Sequence, residues 1–319
     1  MTDLSEKIAV PVGNGIFSGY GTLTRNTITE RRENVNRRTI HKVCAWILAS
    51  LFFIFPVTAD AAPEGKMLLH QLDLGCAAGY LIESGDTVIL VDCGVDSQRK
   101  DAKSPWLFEY LEKSGIGKLD LYIVTHWHTD HAAYVDEILT LYGDEQTVVY
   151  GTSPEIPDKY LPLPAGTYRQ MTDGTELDEG PFHIVCVGPE DPDNTGNLNL
   201  DSLNFVVTFG EKKFMFTGDF VQDNIVKRHP DEISDVDLLC FPHHALQPYV
   251  ISNIALRMMD PDILFIPANK QGAIRMYCND SDVTCRILCS GKYGNMVAVC
   301  DGTEIEIVTE VLPGQFAGE

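Results

Sequence analysis

The segment T-H-W-H-T-D-H, residues 125–131, places three histidines and one aspartate within six consecutive positions. The residues just before it, 120–124, are mostly apolar, and they predict a buried strand. The residues after it show the i, i+3, i+4, i+7 apolar spacing of a helix packed on a core, at Val135, Ile138, Leu139 and Tyr142. The segment is therefore predicted to lie on a turn between a strand and a helix, where side chains can converge at the end of a sheet.

The chemistry of this segment points to metal ions. Imidazole and carboxylate groups are the usual protein ligands of zinc and related cations. His126 and His128 lie two residues apart, so on extended backbone their side chains point the same way and can bind one cation. Asp130 and His131 are adjacent on a tight turn and can reach a second cation nearby. The alternative is a chance histidine-rich turn.

Two later strand ends carry the same types of side chain, which argues against chance. An apolar run, residues 214–217, is followed by Gly218 and Asp219, which suits a carboxylate that bridges two cations. A second predicted strand, residues 236–241, leads into Pro242, His243 and His244. Five of the nine histidines lie in the early segment and in this pair. The pattern predicts one site for two cations, built from both halves of the chain.

These motifs resemble the metallo-β-lactamase superfamily. The patterns T-H-W-H-T-D-H, T-G-D-F (217–220) and F-P-H-H-A (241–245) carry the resemblance. The patterns L-D-L-G (72–75), V-D-C-G (91–94) and N-L-D-S (199–202) are similar to the branch that contains the β-lactamase-like domain of the ComEC DNA-uptake protein and the secreted phosphorylcholine esterases. The resemblance runs from about residue 68 to 308. It implies an α/β (α+β) fold, a four-layer αβ/βα sandwich with metals at one edge between the sheets.

The resemblance implies two divalent metal ions, zinc or manganese, held by six residues. The six are His126 and His128 for the first metal, Asp130, His131 and His244 for the second, and Asp219 as the bridge. Asp130 would also act catalytically, as would His243 facing the substrate, although the motif leaves open which of the two adjacent histidines is the ligand. Asp92, at a strand end, would orient a metal-bound histidine; a simple turn residue is its alternative.

The chain departs from the family pattern at one important point. Many members have a further metal-binding histidine between the first cluster and the bridging aspartate. His183 lies in that interval on a predicted strand, and we interpret it as structural. Asn199 and Ser202 of the N-L-D-S motif occupy the expected neighbourhood instead, beside the metals or the substrate. This substitution would leave the first metal open to a substrate oxygen.

The predicted function is an exported dinuclear hydrolase, most simply a phosphodiesterase or phosphate-ester hydrolase. A hydroxide bridging the two metals would attack phosphorus, and His243 would donate to the phosphoryl oxygen or to the leaving group. Two alternatives stay open. One is a lactone or β-lactam-type carbonyl hydrolase, which the missing third histidine weakens. The other is a degenerate binding domain without catalysis, against which the full first and last clusters argue.

Acidic residues dominate the 319-residue chain, with 46 Asp and Glu against 24 Lys and Arg and a formal net charge of −22. Tight binding to a nucleic acid backbone needs basic surface, so this balance argues against it. A small-molecule or other compact phosphodiester substrate fits the charge better.

The N-terminal region has the composition of an export signal. A basic flank precedes an apolar run over residues 43–58, and Ala59, Asp60 and Ala61 give an A-x-A cleavage pattern. The run is short for a membrane-spanning helix, which needs ~20 residues. We expect 1–61 to be an N-terminal extension with a cleaved signal peptide and 62–319 to be the exported hydrolase domain. An uncleaved membrane anchor is the alternative, and translation is expected to start near Val35.

The remaining predictions concern cysteines and secondary structure. Eight of the nine cysteines follow the apolar run, an even number that permits disulfides without defining a pairing. Cys76, Cys93, Cys186 and Cys240 are interpreted as buried thiols. Residues 151–180 are rich in Pro and Gly and are predicted to be mostly loop. Strands are predicted in 67–92, 147–150, 182–187, 203–209, 213–217, 263–266, 296–299 and 304–308, with helices over 104–115 and 251–259.

Overall fold

The computed structural model describes residues 65–96, 105–192, 196–246, 251–268 and 285–316. The predicted signal region 1–61, with Val35 and Cys44, lies outside these residues, as does Cys278. Those predictions therefore stay predictions. In the described ranges, no helix combines the length and the apolar character needed to cross a membrane.

Fifteen strands in the described ranges form two sheets. In chain order they are β1 (Met67–Gln71), β2 (Gly79–Ser84), β3 (Thr87–Asp92), β4 (Leu121–Val124), β5 (Val148–Gly151), β6 (Thr167–Gln170), β7 (Glu176–Glu179), β8 (Phe182–Gly188), β9 (Asn204–Phe209), β10 (Lys212–Phe216), β11 (Leu238–Cys240), β12 (Ile263–Ile266), β13 (Arg286–Cys289), β14 (Met296–Cys300) and β15 (Ile305–Val308). The first sheet has the order β15-β14-β1-β2-β3-β4-β5-β6, and the second has the order β13-β12-β11-β10-β9-β8-β7.

Seven α-helical segments are described between the strands. They are α1 (Pro105–Ser114), α2 (Thr129–Ala132), α3 (Val135–Tyr142), α4 (Ile225–Arg228), α5 (Pro230–Ile233), α6 (Asn253–Met259) and α7 (Ser290–Tyr293). Helix α1 begins at a proline, which is compatible with a first helical turn, and it ends before Gly115 at φ +85°. Two 3-10 turns, Asp158–Tyr160 and Pro242–Ala245, complete the described helical structure.

Three apolar layers hold the fold together. The central layer lies between the two sheets, where Phe205 and Phe216 stack with ring centroids 4.9 Å apart. The outer face of the first sheet is covered by α1 and α3 through side chains such as Leu107 and Ile138. The outer face of the second sheet is covered by α4, α5 and α6 through side chains such as Ile225 and Leu256. This arrangement confirms the predicted four-layer αβ/βα sandwich.

Strands β2 and β3 lie in the middle of the first sheet, where both of their faces are covered. Their sequences are therefore mostly unbroken runs of apolar residues. Strand β2 is buried throughout, and β3 is buried from its second residue onward. Burial of both faces favours unbroken apolar sequence over the alternating pattern of a half-exposed strand. This is why these strands were predictable from their composition.

Parallel strands bring the motifs to one edge. Strands β3, β4 and β5 are parallel neighbours, as are β10, β11 and β12. Loops that follow the carboxyl ends of parallel strands share one edge of a sheet, where open α/β sheets bind their ligands. The segment after β4, residues 125–131, is a short loop that runs into α2. The loop after β10 carries Asp219, and β11 leads to His243 and His244. The Leu203 amide donates to the Thr125 carbonyl at 2.9 Å and joins the two sheets at this edge.

The prediction of loop across residues 151–180 was wrong in two places. Strands β6 and β7 form there at the edges of the two sheets, and their side chains are half-buried or exposed. An edge strand needs backbone pairing on one side only and little apolar surface, so its sequence lacks the usual signal. Strand β13, also at a sheet edge, was not predicted either, although its last two residues are buried.

The seven described cysteines are all free thiols. Cys93, Cys186 and Cys240 are buried, as predicted, whereas Cys76 is only half-buried. Burial raises the pKa of the Cys186 thiol to about 12, so this group stays protonated at neutral pH.

Candidate metal centre

Two groups of ligand-type atoms lie at the edge where the sheets meet. The first group consists of His126, His131 and Asp219, and the second consists of Asp130, His131 and His244. Within each group the ligand atoms all lie within 4.8 Å of one another. His131 belongs to both groups, so the two potential cation positions are neighbours. The structure thus brings together side chains from three separate parts of the sequence.

The three histidines of these groups share one orientation. Each points its Nε2 atom into the cluster and uses Nδ1 for an outer contact. His131 Nδ1 lies 2.8 Å from Asp92 Oδ2, and His244 Nδ1 lies 2.9 Å from the Pro267 carbonyl oxygen. His126 Nδ1 lies 3.3 Å from the hydroxyl oxygen of Ser202. A histidine that binds a metal commonly donates its other N–H to such a partner, which fixes the tautomer and the ring.

Asp219 belongs to the first group and contacts both of its histidines. Its Oδ1 is 3.0 Å from His131 Nε2, and its Oδ2 is 3.5 Å from His126 Nε2. Its backbone amide donates to the Ser202 hydroxyl at 3.1 Å, which fixes the turn after β10. The two carboxylate oxygens therefore face two different histidines, one of which both ligand groups share. The bridging role itself stays a prediction.

The donor set fits divalent cations. Three atoms of the cluster are buried without a hydrogen-bond partner of good geometry, namely His131 Nε2, Asp219 Oδ1 and His244 Nε2. An unsatisfied buried polar atom costs free energy, so such atoms need an explanation. Imidazole nitrogens and carboxylate oxygens converging at this spacing are the ligands that zinc and its neighbours take. Cations held by these residues would satisfy all three atoms.

The electrostatics of the cluster favour positive charge. Burial alone would lower the pKa of His131, but the carboxylates of Asp219 and Asp92 raise it well above its usual value. Burial and the neighbouring imidazole of His131 lower the pKa of His126 well below its usual value. Burial alone would raise the pKa of Asp130, yet the neighbouring imidazoles of His244 and His131 bring it down to about 2. The carboxylates are therefore ionised at neutral pH and attract cations.

The two adjacent histidines differ in their surroundings. Both residues and the following Ala245 have φ between 50° and 57°, a left-handed backbone that non-glycine residues rarely adopt. This turn buries His244 and places its Nε2 3.4 Å from Asp130 Oδ2. It leaves His243 half-buried, with Nδ1 2.7 Å from the Leu246 carbonyl oxygen and Nε2 3.8 Å from Asp219 Oδ2. The geometry favours His244 as the ligand and His243 as the residue that faces a substrate.

The N-L-D-S segment reaches the same site. The Asn199 side-chain amide nitrogen lies 3.4 Å from His243 Nε2, and Asn199 Oδ1 is buried without a hydrogen-bond partner. The Ser202 hydroxyl donates to the Asn199 carbonyl oxygen at 2.8 Å, beside its contact with His126. Both residues therefore lie at the site, although their roles stay predictions.

His128 and His183 lie outside the two ligand groups. His128 Nδ1 lies 3.1 Å from His126 Nε2, so the pair is adjacent as predicted, but His128 falls in neither of the two ligand groups. His183 lies on β8 and pairs with Asp178 at 2.8 Å, with its side chain 47% exposed. The structural interpretation of His183 agrees with this position.

Sequence reasoning missed two residues that shape the site. The Thr125 hydroxyl donates to Asp92 Oδ2 at 2.8 Å, and the Thr125 amide donates to Asp92 Oδ1 at 2.8 Å. These bonds hold the carboxylate that orients His131. Gly94 packs directly against the backbone of Asp130. Both residues lie inside quoted motifs, so their position beside the predicted ligands was the available signal.

Replacing each adjacent histidine by glutamine tests their assignment. We expect His244→Gln to reduce the bound cations by about one per chain, because its buried Nε2 faces the second ligand group. We expect His243→Gln to leave the cation content unchanged. Metal content by plasma emission spectrometry after dialysis measures both. Loss of a cation from the His243 variant alone would reverse the assignment.

Comparison with known proteins gives one family. The family model described as the metallo-beta-lactamase superfamily matches residues 77–268. Transcription termination factor FttA of Methanosarcina mazei is 28% identical over 150 residues, which are 45% of this chain and 20% of that protein. YhfI of Bacillus subtilis, whose name describes it as a probable metallo-hydrolase, is 32% identical over 122 residues, 34% of this chain and 45% of that protein.

Structural comparison also finds YhfI. Its crystal structure, described as a metallo-beta-lactamase fold protein, aligns with a TM-score of 0.48 and 18% identity over 70% of this chain and 96% of that one. In sequence, this chain spans less than half the length of either curated relative. The activities of those whole proteins are therefore not transferred to it.

Proposed function

Because the chain belongs to the metallo-beta-lactamase superfamily and is a metal-dependent hydrolase of that class, we propose that it hydrolyses phosphodiesters or other phosphate esters. We further propose that two divalent cations, zinc or manganese, serve the reaction. The N-L-D-S and V-D-C-G motifs support placement in the branch of ComEC-like domains and phosphorylcholine esterases. The N-terminal signal-like sequence supports export, with a membrane anchor as the alternative.

One observation carries the proposal: the two ligand groups share His131, whose Nε2 lies 3.0 Å from Asp219 Oδ1, so the two potential cation positions are adjacent. Divalent cations held by these residues would supply a water of lowered pKa and positive charge for the oxygens of an in-line displacement. The carboxylates and imidazoles of this chain provide a ligand set for such a pair. The neutral amide and hydroxyl of Asn199 and Ser202 stand where a third histidine occurs in many relatives, which leaves room for an anionic substrate.

His243 supplies the proton-carrying group of the proposed reaction. The Leu246 carbonyl accepts from Nδ1, so the ring is held with Nε2 toward Asp219 and Asn199. The His243 side chain is 16% exposed, so a substrate oxygen can reach Nε2 from outside. From this position a protonated ring can donate to a phosphoryl or leaving-group oxygen.

The surrounding residues orient the ligands. Asp92 accepts from Thr125 and contacts His131, so its carboxylate fixes the ring that both ligand groups share. Ser202 contacts His126 and the amide of Asp219, and so links ligands from the two sheets. Outer partners of this kind commonly affect metal affinity or activity by ~10–100-fold.

A chromogenic assay tests the proposal. The full chain, loaded with zinc or manganese, should hydrolyse bis(4-nitrophenyl) phosphate and contain about two cations after dialysis. A chelator should abolish turnover and lower the melting temperature, because a cation that binds only the folded state stabilises it. The exposed Asp178→Asn variant should behave like the natural chain.

Other outcomes select the alternatives. Two bound cations without turnover of any phosphate ester would contradict the proposal and favour lactone or β-lactam substrates, which nitrocefin and a lactone panel then test. Absence of bound cations would favour a binding domain without catalysis.

A further inference from the structure

The ammonium group of Lys159 lies against the histidine-rich turn. Lys159 Nζ donates to the carbonyl oxygen of Trp127 at 3.4 Å. Trp127 is the residue between His126 and His128. The positive charge therefore lies against the residue that separates two predicted metal ligands. Lys159 is thus close to the site without being one of its predicted ligands.

The fold holds Lys159 in this place. Strand β5 is the parallel neighbour of β4, so the loop after β5 reaches the same edge as residues 125–131. In that loop Tyr160 is buried and packs on Trp127 with ring centroids 5.0 Å apart. Tyr168 approaches the same indole at 6.1 Å. The aromatic contacts anchor the loop, and the Lys159 side chain remains exposed beside the site.

The charge of Lys159 is not neutralised by the contacts that place it. Its Nζ contacts a carbonyl oxygen and lies 4.5 Å from the centroid of the Tyr160 ring. Other lysines form ion pairs away from the site, as Lys113 does with Glu109 at 2.7 Å and Lys212 does with Asp237 at 2.8 Å. An ammonium group has three donors, and the carbonyl accepts from one of them. Two N–H groups are therefore available to an oxygen anion.

We propose that Lys159 is a specificity residue that binds a second anionic group of the substrate. The group is a carboxylate or phosphate carried beyond the ester that is hydrolysed. The inference rests on the proposed function and narrows its substrate class from phosphate esters in general to esters with an additional negative charge. In a chain with a net charge of −22, the ammonium group beside the histidine-rich turn supplies a local positive charge that attracts such a substrate.

A purely structural role for Lys159 makes different predictions. If Nζ only fastened the loop to Trp127, its removal would lower the melting temperature and change the kinetics of every substrate alike. A substrate-binding role instead raises KM for substrates that carry the second anion and leaves kcat and the other substrates unchanged.

Two chromogenic diesters separate these roles: 4-nitrophenyl 3-carboxypropyl phosphate and its methyl ester. The natural chain should have a KM about 5–10-fold lower for the free acid, since a partly exposed charge-assisted hydrogen bond has this magnitude. Lys159→Gln should remove the preference, Lys159→Glu should reverse it, and Lys159→Arg should retain it. Lys113→Gln, an exposed lysine change on α1, is the matched control and should retain the preference.

The outcomes of this experiment are distinct. Equal KM values for the two diesters in the natural chain overturn the inference while leaving the proposed function intact. The inference is also overturned if Lys159→Gln lowers kcat/KM equally for both diesters and lowers the melting temperature. If neither diester turns over, the proposed function fails, and calorimetric binding of the same two compounds decides the inference. Tighter binding of the free acid that disappears in Lys159→Gln supports it, and equal binding rejects it.

Discussion

Replacing Asp219 by Asn is expected to lower phosphodiester turnover by at least about 1000-fold, equivalent to ~4 kcal/mol of transition-state stabilisation. Asp219 belongs to the first ligand group and contacts the histidine that both groups share, with Oδ1 3.0 Å from His131 Nε2 and Oδ2 3.5 Å from His126 Nε2. Asparagine has the same shape but only one oxygen and no negative charge. We expect the bound cations to fall from about two per chain to one or none, as measured by kcat/KM and by plasma emission spectrometry.

The charge of Asp219 matters even before a cation binds. Burial alone would raise the pKa of this carboxyl, but the imidazoles of His131, His126 and His244 hold it well below its usual range. The carboxylate is therefore ionised at neutral pH. The variant loses this charge while its backbone amide can still donate to Ser202.

A matched change separates catalysis from folding. Asp178 is 82% exposed and pairs only with the half-exposed His183 among its described contacts, so Asp178→Asn should keep turnover within about twofold. Both variants should retain the circular dichroism spectrum of the natural chain. An Asp219→Asn variant with two cations and undiminished turnover would remove Asp219 from the proposed mechanism.

Replacing Gly94 by Ala is expected to destabilise the fold by about 3 kcal/mol or more. A Cβ atom at this position would lie 1.8 Å from the carbonyl carbon of Asp130 and 2.4 Å from the amide nitrogen of His131. Both are backbone atoms, so no side-chain rotation can relieve the overlap. The two segments must separate, and the turn that carries the predicted ligands must move with them.

Backbone hydrogen bonds on either side make that separation costly. The Cys93 amide donates to the His131 carbonyl at 2.7 Å, and the Ala78 amide donates to the Asp130 carbonyl at 2.9 Å. The Gly94 amide donates to the Ala78 carbonyl at 2.9 Å. Moving Gly94 away from the turn strains all three bonds. We therefore expect loss of the cations together with the loss of stability, measured by urea unfolding of the metal-loaded protein.

Gly117 provides the control for this prediction. A Cβ at Gly117 would meet no heavy atom within 4 Å, and its backbone is outside the left-handed region. Gly117→Ala should leave the free energy of unfolding unchanged or raise it by about 0.5 kcal/mol. A Gly94→Ala protein with the same urea midpoint as Gly117→Ala would show that the close packing of these segments is not required.

The interior of the fold could be predicted from the sequence because buried strands and helices consist largely of apolar residues. Strands such as β3 and the helix α3 could be placed from apolar runs and helical spacing. The edge strands β6 and β7 could not, because one-sided pairing and exposure allow nearly any side chain. The missed elements therefore lie where the structure constrains sequence least.

The sequence indicated which residues form the site, but it did not indicate how their side chains are arranged. The histidine and aspartate motifs indicated which side chains would converge, since chelating residues must be of these types. Which of His243 and His244 points inward depends on a left-handed turn that the sequence does not indicate. The contact between Gly94 and Asp130 and the approach of Lys159 to Trp127 join distant segments, and no local pattern reveals either.

The metal-centre ligands come from both sheets, and this has a mechanical consequence. Residues 126–131 follow β4 of the first sheet, whereas Asp219 and His244 follow β10 and β11 of the second. A cation shared by His131 and Asp219 would act as a cross-link between the two halves of the sandwich. Local unfolding that begins at the distant edges of the sheets would then not extend past the metal centre, because separating the sheets there requires release of the ion. The two halves would behave as one cooperative unit while the cross-link is in place, and as two more independent ones without it.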